Sequence, residues 1–326
     1  MKEHQITALL KRVLDKATEE TVTDGRVDPR RVFFVRPSAF PYCGLRTLLS
    51  FQDRLHEVPA VDFGGSYFTG VGTTVHSVIQ NYMGFSPHVI GDWKCRRCGT
   101  VRRFSERKPC SKCKGHDLQY EELEIVYKNT ALGHIDGLIR LEPKLGKNSP
   151  HVVIDYKTSS TFKIDKANKY PGTLPLRENV FQIRAYVPLI EQLYQVPVVG
   201  WSLIYISRDR PFSSGRHVVS RLMDEPERAK VLRRVDHIVR VHRKVLKAKT
   251  LEDFAIVRKH KICKDAEHYK ADYMLDNNKC PFAPICFNDK KLDQKLESLH
   301  KQHRKVWPLI SQASIDIQSE LGMLPK

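Results

Sequence analysis

Apolar positions along the chain recur with two spacings. Helical spacing runs through "MKEHQITALLKRVLDK", "GVGTTVHSVIQNYMGF", "VFQIRAYVPLIEQLYQ" and "EPERAKVLRRVDHIVRVHRKVLKA", and again from Leu292 onward. Strand-like runs are "QYEELEIVYKN", "ALGHIDGLIRLEP", "HVVIDYKTSS" and "VVGWSLIYISRD". "VFFVRPSAFPYCGLRTLL" reads as an apolar segment, a Pro-rich turn and a short helix carrying Cys43. The polar, Pro-containing "TFKIDKANKYPGTLPLREN" reads as a loop. Pro188 should kink its helix or mark its start. The order helix, three strands, helix, strand predicts a mixed α/β core, a mixed sheet flanked by helices. The run into Asp155 is nearly continuous in apolar residues, which predicts a central strand buried on both faces.

The 326 residues suffice for one large domain or two ordinary ones, and 41% hydrophobic content suits a globular chain. No apolar stretch is long enough to span a bilayer, and the N-terminus does not read as a signal peptide, so a cytoplasmic protein is expected. The formal net charge is +18, which favours a polyanionic partner, nucleic acid first. Much of it is concentrated. "KCRRCGTVRRFSERKPCSKCK" holds nine Lys or Arg against one Glu, and "RRVDHIVRVHRKVLKAK" is a second basic run.

Within "VVIDYKTSS", Asp155 and Lys157 stand two apart on a strand and therefore share a face. Asp136, in "GHIDG" on the preceding strand, can lie beside Asp155. Two carboxylates and the Tyr156 carbonyl make a hard oxygen site suited to Mg²⁺ or Mn²⁺. A lysine beside such a site can hold or deprotonate a water for attack on phosphorus. Glu122 and Glu124, one strand earlier, read as strand-edge charges.

In this order "GHIDG", "VVIDYKTSS" and "QIRAY" resemble the PD-(D/E)xK nuclease superfamily, specifically its RecB-like exonuclease branch. The resemblance covers roughly residues 37–206. It implies a restriction-endonuclease-like core and a metal-dependent deoxyribonuclease. It also implies roles: His76, Asp136 and Asp155 as metal ligands, Lys157 as catalytic base or water-orienting group, and Gln182 and Tyr186 as residues that position the substrate strand. Gln182 and Tyr186, four apart, also share a helical face.

The eight cysteines divide into two sets of four. Cys95-x2-Cys98-x11-Cys110-x2-Cys113 has the spacing of paired knuckles that present four thiolates to Zn²⁺. The basic residues around them, Arg96, Arg97, Arg102 and Arg103, make this zinc ribbon a candidate DNA contact. For Cys43, Cys263, Cys280 and Cys286 the resemblance implies a 4Fe–4S cluster that staples the chain ends, as in AddB-type and CRISPR-associated exonucleases. The late spacing here, C-x16-C-x5-C, departs from that pattern, which usually has C-x2-C-x5-C. An insertion, a different ligand or a second zinc would each account for it.

The expected organisation is a helical segment over 1–36, a first nuclease part over 37–91, the ribbon insert over 92–118, the nuclease core over 119–220 and a helical region over 221–326 that completes the iron–sulfur site. The expected function is digestion of DNA from single-stranded ends, in recombination, repair, replication or phage DNA processing. A structure-specific or single-strand endonuclease shares the chemistry. A non-catalytic DNA-binding subunit of a repair complex is the alternative of another class. No Walker-type G-x-x-x-x-G-K-[ST] occurs, so unwinding would come from a helicase or recombination partner.

Overall fold

A computed structural model describes residues 35–39, 63–128, 130–170, 172–210, 215–247, 290–298 and 301. The expected N-terminal helix and all of Cys43, Cys263, Cys280 and Cys286 lie outside the described residues.

The fold is mixed α/β. Helix α1 (Phe63–Met83) leads into strands β1 (Val89–Cys95), β2 (Val101–Ser105), β3 (Leu118–Glu121), β4 (Leu123–Tyr127), β5 (Ala131–Ile135), β6 (Gly137–Arg140) and β7 (His151–Ser159). Then come α2 (Thr161–Lys169), α3 (Arg177–Tyr194), β8 (Val198–Ser207), β9 (Arg216–Leu222) and α4 (Glu225–Leu246). Seven strands form one sheet in the order β2-β1-β6-β7-β8-β9, with β3 also paired to β1, while β4 and β5 form a separate hairpin. Among the strands of the described residues, β7 and β8 pair in parallel and the other strand pairs are antiparallel. The parallel pair is possible because α2 and α3 carry the chain back across the sheet.

Strand β7 is the middle of this sheet, as its apolar run predicted, and its two faces are covered by different helices. Ile154 and Tyr156 pack with Ile206 against Val75 and Ile79 of α1. Val153, on the other face, joins the main core with Leu138, Leu203 and the buried side of α3, including Ile183, Tyr186 and Ile190. Helix α4 covers α3 through Val231, Val235 and Ile238. Residues 290–298 are helical, and Leu292 and Leu296, four apart, are buried.

Three local expectations differ from what is observed. The segment after β7 is not all loop: α2 occupies its first half, with Ser160 capping it by accepting from the Lys163 N–H at 3.4 Å. Ile164 and Ala167 provide its buried stripe. Helix α3 begins at Arg177 and runs through Pro188, so the proline does not mark its start. Strands β1, β2 and β9 were not foreseen. The residues of β2 and β9 are all exposed or half-buried, so neither β2 nor β9 carries an apolar run. No helix among the described residues is long and apolar enough to cross a membrane.

Candidate active site and metal centres

Asp136 lies at a bend. The strand that would run from β5 into β6 breaks there, so β5 pairs in the hairpin and β6 enters the main sheet. Gly137 of β6 is opposite Ile154 of β7, which puts Asp136 level with the Asp155–Tyr156 peptide. Asp136 Oδ2 accepts the Tyr156 N–H at 2.5 Å, and its Oδ1 lies 3.5 Å from His76 Nδ1. The Tyr120 hydroxyl donates to the Asp136 carbonyl at 3.2 Å and fixes the bend. In a strand, a residue's N–H and C=O point to the same edge. The Tyr156 carbonyl therefore faces the edge that Asp136 occupies.

Three ligand atoms converge here, one each from His76, Glu122 and Asp136, all within 4.8 Å of one another. Octahedral ligation at about 2.1 Å places ligand atoms roughly 3.0–4.2 Å apart, so small rotamer changes bring these three to a hard divalent cation. Asp155 stands beside the triplet. Its Oδ1 accepts from Lys157 Nζ at 3.1 Å. Its Oδ2 is buried, lies 2.8 Å from that ammonium and accepts no hydrogen bond among the described residues. A buried carboxylate oxygen with spare lone pairs next to a nitrogen and two further oxygens is a donor set that fits Mg²⁺ or Mn²⁺.

Glu122 is the member that sequence reasoning set aside. It is not a strand-edge charge. It occupies the one-residue break between β3 and β4, half-buried, and Gln80 Nε2 donates to its Oε1 at 2.7 Å. Gln80 is one helical turn beyond His76 on α1, so the same helix face supplies a ligand and the clamp on its neighbour. That i, i+4 pair was the available signal. Glu124 does behave as an edge charge, 3.5 Å from the exposed His134.

The electrostatics follow from burial. Burial pushes the Asp155 carboxyl up to about 7; Lys157 pulls it down and the Asp136 charge pushes it up again. Burial and then the Asp136 charge also raise Glu122. Burial alone would lower His76, but the hydrogen bond and charge of Asp136, with the charge of Asp155, hold it above its ordinary value. Three carboxylates thus share one poorly solvated space, a strain that a bound cation relieves.

Beyond Asp155 a chain of polar contacts reaches α3. Lys157 Nζ is 3.4 Å from Gln182 Oε1, and Gln182 Nε2 is 3.4 Å from the Tyr186 hydroxyl. Tyr186 is only 2% exposed. Its ring has no free face to offer a base. It anchors Gln182, and through Gln182 it sets Lys157.

The four ribbon cysteines also converge. Cys95 Sγ lies 3.5 Å from Cys113 Sγ, and Cys98 Sγ 3.5 Å from Cys110 Sγ. That is far too long for a disulfide and close to the roughly 3.8 Å edge of a tetrahedron with Zn–S near 2.3 Å. The two knuckles repeat one turn: Gly99 N–H donates to Cys95 O and Lys114 N–H to Cys110 O, with Gly99 at φ 72° and Lys114 at φ 57°. The Thr100 hydroxyl and N–H hold the Cys98 thiol down to about 6, favouring the thiolate that a metal needs. The ribbon is rooted in the main sheet. Strand β1 pairs first with β6 through Val89 and Ile90, then with β3 up to Cys95. Arg97 is exposed; Arg96 and Arg103 lie 3.7 and 3.8 Å from Asp117 and Asp92; Arg102 donates to the Pro109 carbonyl at 2.8 Å.

Compared with protein-family models and with curated proteins, the chain matches none.

Proposed function

We propose that this chain is a metal-dependent deoxyribonuclease of the PD-(D/E)xK type, RecB-like branch, that hydrolyses phosphodiester bonds from single-stranded ends. The observation that carries the reading is the convergence of His76, Glu122 and Asp136 on one point, with the Asp155–Lys157 pair directly beside it. Nucleic acid as substrate is supported by the net charge of +18 and by exposed arginines on the ribbon and on α4.

His76, Glu122, Asp136, Asp155 and the Tyr156 carbonyl would hold Mg²⁺ or Mn²⁺. When bound, the cation supplies Lewis-acid polarisation of a phosphoryl oxygen and offsets the charge that develops there. The side chains do the rest. Lys157 has three donors; Asp155 and Gln182 orient the group, and a remaining N–H can hold the attacking water or a phosphate oxygen. With a cation in place, its charge would hold Asp155 as an ionised ligand, which leaves Lys157 as the group that orients or deprotonates the attacking water. Gln182, fixed by Tyr186, keeps the ammonium from swinging away. The four cysteines of the ribbon would hold zinc in a closed structural site.

End-labelled single and double strands, incubated with Mg²⁺ or Mn²⁺, test the reading. The wild-type chain should shorten single strands from an end and leave circular single strands intact. Asp155→Ala and Lys157→Ala should each lower the rate by a factor on the order of 10² to 10⁴ while DNA binding persists. Cutting of the circle would make it an endonuclease with the same site. Full activity in Asp155→Ala, or binding without cleavage under any metal, would sink it and leave a DNA-binding subunit.

A further inference from the structure

A second group of polar side chains lies at the root of the ribbon, away from the site above. A cavity of about 380 Å³ opens between the end of β2, the end of β6 and the turn over residues 143–148. Arg102, Lys108, Arg140 and Lys147 line it, with a single carboxylate, Glu106. Glu106 is already engaged, 2.8 Å from Arg140 and 2.5 Å from Lys108. Four cations against one neutralised acid leave a cavity that is strongly positive. Its size is at the small end for ligand pockets.

The lining is built by an irregularity in β2. Gly91 of β1 is opposite Ser105 and Trp93 is opposite Arg102, so two steps of β1 span three of β2. This is a β-bulge. Arg102 and Ser105, three apart, would point to opposite faces of a regular strand. The extra residue turns both toward the cavity. The bulge is locked: Phe104, with φ at 42°, donates its N–H to Asp92 Oδ1 at 2.8 Å and stacks its ring on Tyr194 at 4.2 Å. A left-handed phenylalanine in a strand is costly and persists only where its surroundings dictate it.

Two of the lining residues each carry an orphaned polar atom. Ser105 Oγ and Arg140 Nε are buried and have no hydrogen-bond partner among the described residues. Both atoms can donate, and both belong to residues of the cavity lining, although the atoms themselves are covered. Buried donors without acceptors are unfavourable. A ligand with several acceptor oxygens would be met by Arg102 and Lys147, and a rotation of the Ser105 hydroxyl would bring that donor to it as well.

We propose that this cavity binds a phosphate group, as a monoester or a diester. Guanidinium forks and a hydroxyl around a small positive space are the recognition chemistry of that group. The cavity is distinct from the cation site. Arg140 and His151 face each other at the far end of the β6–β7 pair from Asp136 and Asp155, four residues or roughly 13 Å along the strands. The buried Val153 lies between. The phosphate can belong to a free nucleotide or to a nucleic-acid strand.

Calorimetry on the full chain, without added Mg²⁺ or Mn²⁺, separates these sources. The probes are inorganic phosphate, adenosine monophosphate, adenosine and a short single-stranded oligonucleotide. Phosphate-bearing probes should bind and adenosine should not. Arg102→Ala with Lys147→Ala should weaken binding about tenfold or more, and Ser105→Ala should weaken it several-fold with a melting temperature no lower than wild type. A charge-matched control, Lys230→Ala with Arg240→Ala on α4, should leave mononucleotide binding unchanged. Binding of the mononucleotide and the oligonucleotide alike supports a nucleotide source, and binding of the oligonucleotide alone supports a strand, provided the cavity variants weaken it more than the α4 control does. No binding by any phosphate probe, or equal binding by wild type and both cavity variants, overturns the proposal.

Discussion

Asp155 is 3% exposed, and its carboxyl is pushed up to about 7. In an unfolded chain an aspartate titrates near 3.9. The native state therefore holds the proton more tightly than the unfolded state. The stability that this one carboxyl contributes is greatest below about pH 4, falls as pH rises toward 7, and is lost above that. Asp155→Asn keeps the shape and removes the charge. Without added Mg²⁺ or Mn²⁺ the variant should melt higher than wild type, by a margin that grows from pH 4 to pH 7. Three units at about 1.4 kcal/mol each set an upper bound near 4 kcal/mol; leaving Lys157 without its counter-charge reduces this to about 1–2 kcal/mol. Added Mn²⁺ should reverse the order, because it stabilises only the chain that binds it well. A variant less stable than wild type at every pH would mean that the carboxylate is a structural partner of Lys157 and not a strained ligand. Asp155 and Lys157 were legible in the sequence because strand alternation puts them on one face; Asp136 was legible as a residue of the preceding strand, but the bend that turns it to the Tyr156 N–H was not. Glu122 was not, because its place depends on a one-residue break between β3 and β4 that has no local signature; the His76–Gln80 spacing on α1 signals a clamp but does not say which acid it holds.

Elements position these residues through close approaches that glycine permits, and the two glycines around Asp136 differ. A Cβ on Gly133 would lie 2.6 Å from Pro37 Cγ and 3.1 Å from Tyr186 Cε1. Both neighbours are rigid rings, so β5 or α3 must move. Since Tyr186 carries Gln182 and Gln182 carries Lys157, the shift reaches the site. Gly133→Ala should cost about 1–3 kcal/mol in denaturant unfolding and also slow cleavage, though Gly133 touches no reacting group. A Cβ on Gly137 meets only Ile154 at an ordinary 3.7 Å, so Gly137→Ala should be nearly silent in both assays. Equal effects of the two would detach α3 from the site. The ribbon offers a second element-scale test. Cys95→Ala should abolish binding of one zinc per chain and expose residues 96–117 to protease. The edge-to-face contact of Trp93 and Tyr120, 5.3 Å between centroids, should hold the root of β1 in the sheet. Protease cutting that spreads to β6 would show that zinc supports the core as well. Helices α1, α3 and α4 and strands β7 and β8 were legible because each has a long apolar stripe. Helix α2 was hidden by its shortness and its lysines, and β9 by its lack of an apolar run. The sheet switch at Asp136 is a tertiary event that no local pattern encodes.

Over the whole molecule, the surplus of positive charge makes a prediction that does not depend on catalysis. Each phosphate neutralised on a single strand contributes about 0.7 to the slope of log affinity against log salt. Arg96, Arg97 and Arg103 project from the ribbon, but Arg96 and Arg103 each have an aspartate within 4 Å. Such surface pairs are weak, and a phosphate can displace the aspartate, so all three arginines remain available. Replacing the three with Gln should flatten the slope by about 2 if each meets a phosphate, and by about 0.7 if only Arg97 does. Arg102 is left in place, because it lines the cavity at the root of the ribbon. The matching set on α4 is Lys230, Arg233 and Arg240, all exposed. Filter binding across a salt series distinguishes the two faces. A flattened slope for the ribbon set and not for the α4 set would place the strand along the ribbon. The reverse result would place it on α4 and leave the ribbon as a purely structural zinc module. The sign and size of the net charge were fully legible in composition. Which face presents it was not, because Asp92 and Asp117 come beside the arginines only when β1, β2 and β3 fold together.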